Sequence, residues 1–233
     1  MDAVLLFSGQ GAQKVGMGKD LYDQYPVAKA LIEQADKALG ESLSAVMFEG
    51  PGEELTRTCN CQPALYVHGL ACLAVLKELV PSLNPVAAAG LSLGEFTAHA
   101  AAGTYSFEEG LRLVQKRGAF MEEACNATKG TMAAMIGGTD ENVIKLAQEC
   151  DVDVANFNCP GQTVVSGTEE GVAKAVAGAK AAGCKIAKKL NVAGAYHSRL
   201  MHSAMVKLAE ELKNISFGTP SMPVYCNYEA RAD

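Results

Sequence analysis

No apolar run in this sequence approaches the roughly 18–20 residues that a helix needs to span a bilayer, so no membrane partner is expected. The N-terminus, MDAVLLFSGQ, carries an acid where a secretory signal wants a base, and its apolar stretch is too short. The expected compartment is therefore the cytoplasm, or an organelle matrix if a transit peptide has been removed. A basic excess is also lacking: 20 Lys and Arg face 26 Asp and Glu, for a net charge of -6. That balance argues against a nucleic-acid footprint. There is no C-x-x-C pair among Cys59, Cys61, Cys72, Cys125, Cys150, Cys159, Cys184 and Cys226. Neither a zinc knuckle nor a thioredoxin-type motif is written, no metal site is expected, and buried reduced thiols are the simpler reading. Internal repeats and low-complexity linkers are missing as well.

What is present reads as a globular chain. Its 233 residues are 49% apolar and 20% charged, with mean hydropathy +0.08. That is enough for a sizeable core in one or two domains. Ala3 to Phe7 is a short buried-strand pattern ending in the turn Ser8-Gly9-Gln10-Gly11-Ala12. Helical periodicity runs from Leu21 to Leu39, and a polar Pro- and Gly-containing stretch continues to Cys61. Ala64 to Leu79 reads as a helix closed by Pro81, and Val86 to Leu91 as a strand. Phe96 to Ala102 and Phe107 to Cys125 read as helices.

The texture then changes. Strands are expected at Thr131–Ile136, Val152–Phe157, Thr163–Ser166 and Cys184–Leu190, with helices at Glu141–Cys150 and Glu169–Ala182. This βαββαβ order is the split unit of a ferredoxin-like module. The fold class expected is α/β: a larger parallel-sheet domain, residues 1–127 and 192–233, with a small subdomain inserted at 128–191.

Chemistry concentrates in a few places. Gly90-Leu91-Ser92-Leu93-Gly94 is a G-x-S-x-G pattern between an expected strand and an expected helix, the context a nucleophile elbow needs. A serine there projects its Oγ from the sheet edge, and the Leu93 N–H at the helix start can meet an oxyanion. The competing reading is a Gly-Ser turn that caps a helix. A nucleophilic serine needs a base. Of His68, His99, His197 and His202, the first two sit among apolar helical residues. His197, in Gly194-Ala195-Tyr196-His197-Ser198, stands where a loop enters a helix. The Gly9–Gln13 turn fails G-x-G-x-x-G at Lys14 and fails the phosphate-loop pattern at Met17. If it lies beside the serine turn, the Gln10 N–H becomes a second oxyanion donor. Arg117, in an amphipathic helix, either snorkels to solvent or grips a substrate carboxylate bidentately.

Read together, Gly9–Gln13, Gln62-Pro63-Ala64, Gly90–Glu95, Arg117-Gly118, Asn156–Gln162, Ser166-Gly167 and Gly194–Ser198 resemble, in order, the motifs of the malonyl-CoA:acyl-carrier-protein transacylases. The likeness to the acyltransferase domains of polyketide synthases is looser. The resemblance implies a hydrolase-like large domain with a ferredoxin-like insert. It implies ping-pong transfer of malonyl from malonyl-CoA to the phosphopantetheine thiol of acyl carrier protein, with no further cofactor. Ser92 would be the nucleophile and His197 the base. Gln10 and Leu93 would supply the oxyanion hole, and Arg117 would pair with the malonyl carboxylate. Asn158 and Gln62 match positions near the pocket. The bulk of Tyr196, just before the histidine, goes with malonyl over methylmalonyl. Leu91 replaces a His common in the family, and Arg199 a Pro. The family usually continues for several tens of residues beyond the position of Asp233, so the resemblance also implies a chain lacking that segment. A serine hydrolase or thioesterase using the same dyad, and an inactive truncated relative acting as a binding module, are the competing readings.

Overall fold

The computed structural model describes residues 1–232. In chain order its elements are β1 (Asp2–Phe7), α1 (Lys19–Gln24), α2 (Pro26–Leu39), α3 (Leu43–Glu49), α4 (Gly52–Thr56), α5 (Thr58–Leu79), β2 (Asn84–Gly90), α6 (Leu93–Ala101) and α7 (Phe107–Ala127). There follow β3 (Gly130–Ile136), α8 (Asp140–Glu149), β4 (Asp153–Cys159), β5 (Gln162–Thr168), α9 (Glu169–Gly178), β6 (Ile186–Lys189), α10 (His202–Leu212) and β7 (Val224–Tyr225). The chain forms two compact units, Met1–Ala119 with Glu210–Asp233, and Phe120–Ala209.

The first unit is built on a parallel sheet of order β1-β2-β7. Period-2 alternation sets its faces: Leu5 and Ala88 are buried with Ala98 and Val224, whereas Val4 and Leu6 are exposed. The larger core surrounds α5, whose Cys61, Gln62, Ala64, Leu65, Tyr66 and Val67 are all buried. A helix apolar on every side is a core helix. Contrary to the expectation from apolar runs, α5 is by length and composition alone long and apolar enough to cross a membrane; more than half of its most apolar stretch is buried within the protein.

Two local expectations change. The single helix read over Leu21–Leu39 is two helices. Tyr25 is extended (φ -124°, ψ 113°) because the following Pro26 disfavours α geometry before it, and Pro26 then opens α2 at its first turn. The stretch read as irregular to Cys61 holds α3, α4 and the start of α5. Ser42 caps α3 by accepting from the Ala45 N–H, and Asp36 accepts from the Ser44 N–H at 2.9 Å. Short capped helices with only Leu43, Met47 and Leu55 buried leave too little periodicity to read from sequence.

The second unit has an antiparallel sheet of order β4-β5-β3-β6, the arrangement of a split βαβ module. One face, with Ala133, Met135 and Val165, packs on Val143 and Leu146 of α8 and Val172 and Ala175 of α9. The other, with Met132, Ala134 and Val164, packs on Met121, Ala124, Tyr196 and Met201. This second face shows why the compact unit is wider than the 128–191 span read from the sequence. The last turns of α7 and the segment through Ala204 complete its core, so the divisions fall inside α7 and α10. Helix α9 also stops at Gly178, four residues short of the expected Ala182.

Candidate active site

In the first unit the β1–β2 register pairs Phe7 with Gly90, and the Leu91 N–H donates to the Phe7 carbonyl at 3.1 Å. The turn after β1, which carries Gln10, therefore leaves the sheet beside the turn that carries Ser92. Ser92 has φ 52° and ψ -99°, a backbone conformation rare for a residue with a Cβ. Its side chain makes no capping hydrogen bond to α6, so the helix-capping alternative does not describe it. Glycines on both sides are what permit the turn. A Cβ on Gly90 would stand 2.0 Å from the carbonyl carbon of Gly94, and one on Gly94 would stand 2.2 Å from the Phe7 carbonyl oxygen. Both are backbone contacts that cannot yield as a flexible side chain would.

Arg117 does not snorkel. It is 9% exposed, its Nη1 donates to Gln62 Oε1 at 2.6 Å, and its Nη2 donates to Ser92 Oγ at 3.0 Å. The guanidinium also lies 5.2 Å from the centre of the Phe96 ring. Burial pushes its pKa down to about 10 against the opposing pull of the Glu95 carboxylate, so it is still a cation at neutral pH. A buried fork of donors touching the serine oxygen is chemically suited to receive an anion beside that oxygen. Gln62, buried at 1% exposure on α5, holds one arm of that fork.

Leu93 is the first residue of α6, where a backbone N–H has no helical acceptor. Gln10 is half-buried in a turn closed by the Gly11 N–H donating to Gln13 Oε1 at 2.7 Å. Ser92, Leu93, Arg117, Gln62 and the Gln10 turn thus belong to one compact unit. His68, whose ring nitrogens lie 3.8 Å from Cys72 Sγ, and His99, whose Nδ1 is 3.2 Å from Thr104 Oγ1, are structural histidines of the same unit. Burial lowers the His68 pKa. Among the described residues no three His, Cys, Asp or Glu side chains gather to hold a metal ion. Cys61 is buried and its thiol is pushed up to about 12 by burial, far from the thiolate a ligand or nucleophile needs.

His197 and Asn158 belong to the second unit, and both are exposed. His197 has φ 57°. Its neighbours are pinned on both sides. Ser198 Oγ donates to the Ala195 carbonyl at 2.6 Å and accepts from the Leu200 N–H. The Arg199 N–H donates to Asp153 Oδ2 at 2.7 Å, and its guanidinium reaches Asp153 and Asp151. Arg199, which in the sequence is only a departure from an expected Pro, is an anchor that ties the histidine turn to the start of β4. Burial raises the pKa of Asp153, but the hydrogen bonds and charge of Arg199 outweigh it and hold the carboxyl below its ordinary value. Asn158 lies near the tip of the β4–β5 hairpin, beside exposed Phe157. Two further residues touch the serine turn without having been expected in the site: Glu95, the last residue of the Gly90–Glu95 motif, and Asn227, 135 positions after Ser92.

A strained serine on a strand–turn–helix elbow, on a parallel sheet in a chain with a separate antiparallel module, is the arrangement of an α/β protein suited to acyl chemistry on a serine. Residues 4–233 match the acyl transferase domain family, and the chain belongs to that family. Among its relatives, the malonyl CoA-acyl carrier protein transacylase of Bacillus subtilis (strain 168) is 45% identical over 230 residues, 97% of this chain and 72% of that protein. The transacylase of the same description from Coxiella burnetii superposes with a TM-score of 0.94 at 36% identity, covering 99% of this chain and 74% of that one. A malonyl-transacylase solved in complex with its holo type II PKS acyl carrier protein gives a TM-score of 0.94 at 38% identity, over 99% and 75% of the two chains.

Proposed function

We propose that this chain transfers a malonyl group from malonyl-CoA to the phosphopantetheine thiol of an acyl carrier protein, through an acyl-enzyme on Ser92. The observation that carries this reading is the 3.0 Å contact between Ser92 Oγ and the buried Arg117 guanidinium. In malonyl-CoA the free carboxylate is two bonds from the thioester carbonyl carbon. A cation beside the nucleophile receives that carboxylate as the carbonyl comes within reach of Oγ. The relatives named as malonyl transacylases, one of them bound to its carrier protein, support the same substrate and partner.

In the first half-reaction Ser92 Oγ attacks the thioester carbonyl while His197 takes its proton. The tetrahedral oxyanion is met by the backbone N–H groups of Leu93 and Gln10, since donors fixed on the backbone cost little reorganisation. The C–S bond breaks, and CoA leaves as its thiol with the proton from His197. In the second half-reaction the phosphopantetheine thiol gives its proton to His197 and its sulfur attacks the malonyl ester. The C–O bond breaks and Ser92 recovers its proton. Gln62 keeps Arg117 in place, and Asn158 is assigned to substrate binding.

Hydrolysis uses the same two residues with water as acceptor, but a simple esterase has no use for a buried cation beside its serine. Intact-protein mass spectrometry after incubation with malonyl-CoA is the test. The expected result is one malonyl adduct on Ser92 that is discharged by holo acyl carrier protein faster than by buffer. No adduct, or discharge equally fast in buffer alone, overturns the reading.

A further inference from the structure

We propose that Asn227, with Glu95, is a positioning residue that locks the Ser92 turn for acylation; the proposal rests on Ser92 being the nucleophile. The side-chain amide of Asn227 brackets Leu91. Its Oδ1 accepts from the Ser92 N–H at 3.1 Å, and its Nδ2 donates to the Gly90 carbonyl at 2.5 Å. The same Nδ2 donates to Glu95 Oε2 at 2.5 Å, and the Asn227 backbone N–H donates to that oxygen at 2.6 Å. An amide is the side chain that supplies an acceptor and donors from one rigid plane.

The location explains the pattern. Strand β7 runs parallel to β2 and pairs Ala88 with Val224 and Ala89 with Tyr225. One step further β2 turns into the elbow, and the backbone ladder cannot follow it. The Asn227 side chain continues the ladder across Gly90 and Ser92 where the strand itself has ended. Asn227 is in turn held by a tight turn, with the Cys226 N–H donating to Arg231 O at 2.9 Å and the Ala230 N–H to Cys226 O at 3.0 Å. A strained backbone persists only where its surroundings over-determine it. Gly90 and Gly94 allow the Ser92 conformation, and the Asn227–Glu95 clamp selects it. The clamp also occupies the Ser92 N–H, which leaves the Leu93 N–H to face the oxyanion.

The experiment measures single-turnover acylation by malonyl-CoA together with hydrogen exchange at the Ser92 amide by NMR. Asn227→Ala is expected to slow acylation by about 10–100-fold, since a misplacement of about 1 Å costs that much. The half-saturating malonyl-CoA concentration should move less than about threefold, because Arg117 is untouched. Exchange at the Ser92 amide should quicken at least about tenfold. Asn227→Asp should lose as much, having no donor and facing the Glu95 carboxylate. In Asn227→Asp/Glu95→Gln the new amide donates to the new carboxylate, and acylation should recover at least about tenfold over Asn227→Asp. That recovery separates polar coupling from a merely structural role, and it carries the test if Asn227→Ala fails to fold. If the wild type forms no Ser92 adduct, the nucleophile reading falls and the acylation role falls with it, while the exchange data still report whether the clamp exists. If the wild type is acylated, the clamp alone is overturned by either of two results: Asn227→Ala acylating within about threefold of wild type, or a double variant no better than Asn227→Asp.

Discussion

Ser92 and His197 are both non-glycine residues with φ near +55°, one in each compact unit, and they are held in opposite ways. Ser92 is enclosed by backbone approaches at Gly90 and Gly94, a buried guanidinium and an amide clamp. His197 is exposed, and the segment around it is pinned by ion pairs from Arg199 to Asp151 and Asp153, most of whose side chains are exposed. The contrast fits the roles proposed for the two residues. Around Ser92 the restraints are backbone approaches and a buried guanidinium, with the amide clamp at the exposed edge of the turn. The histidine turn is fixed by charges that solvent screens.

The largest effect expected from breaking this contrast is at Ser92. Ser92→Ala abolishes the malonyl adduct seen by mass spectrometry while leaving the fold intact. Ser92→Gly, equally inactive, should raise the melting temperature, because φ 52° and ψ -99° suit glycine and strain of this kind costs on the order of 1–3 kcal/mol. An unchanged or lower melting temperature would show that the turn is not strained.

Arg117 comes next. Arg117→Ala leaves the malonyl carboxylate without a partner, and a charged hydrogen bond is worth about 1.5–3 kcal/mol. Malonyl transfer should fall on the order of 10²-fold or more, with acetyl transfer spared. Arg117→Lys should recover only part, since an ammonium cannot both reach Gln62 and keep a planar fork. The malonyl-to-acetyl ratio of kcat/KM decides the point; no change in that ratio sinks the role.

A smaller effect, on stability rather than chemistry, follows from Gly94→Ala. The added methyl meets the Phe7 carbonyl rather than a movable side chain, so about 1–3 kcal/mol or more should be lost in chemical denaturation. Gly11→Ala is its control. The position has open space around it, so its cost comes from its φ of 111° alone.

The smallest effect belongs to the surface anchor of the second unit. Asp153→Asn should lower stability slightly at neutral pH and less still at high salt. The sign with pH follows from the depressed pKa of Asp153. Its contribution is present above the ordinary carboxylate value and is lost as pH falls through the lowered one, so wild type and variant should converge in acid. A difference that persists at low pH or in high salt would assign Asp153 a role beyond the ion pair.

Much of the site was legible in the sequence because its parts are local patterns. The elbow is five residues between a strand and a helix, and the βαββαβ order follows from short runs of changing period. Even the position of Gln10 beside Ser92 follows from two strand-end turns on one parallel sheet. Arg117 was ambiguous, because helical periodicity cannot tell a snorkelling arginine from a buried one. Only the placement of Gln62, Phe96 and Ser92 around it shows that it is enclosed.

What the sequence by itself determined is the set of short-range devices: the glycines that permit a sharp turn, the prolines that break helices, the alternation that gives each sheet a buried face, and the order of the motifs. What only the tertiary structure decided is which distant residues complete them. Asn227 sits in an unremarkable turn, and nothing near it in sequence points to Ser92. Arg199 likewise gains its partners from the start of β4 and the turn before it, more than forty residues earlier. The physical reason is range. Backbone conformation is set by neighbours within a few residues, whereas a hydrogen bond across a sheet edge depends on register, and register is fixed only when the core behind the sheet has packed.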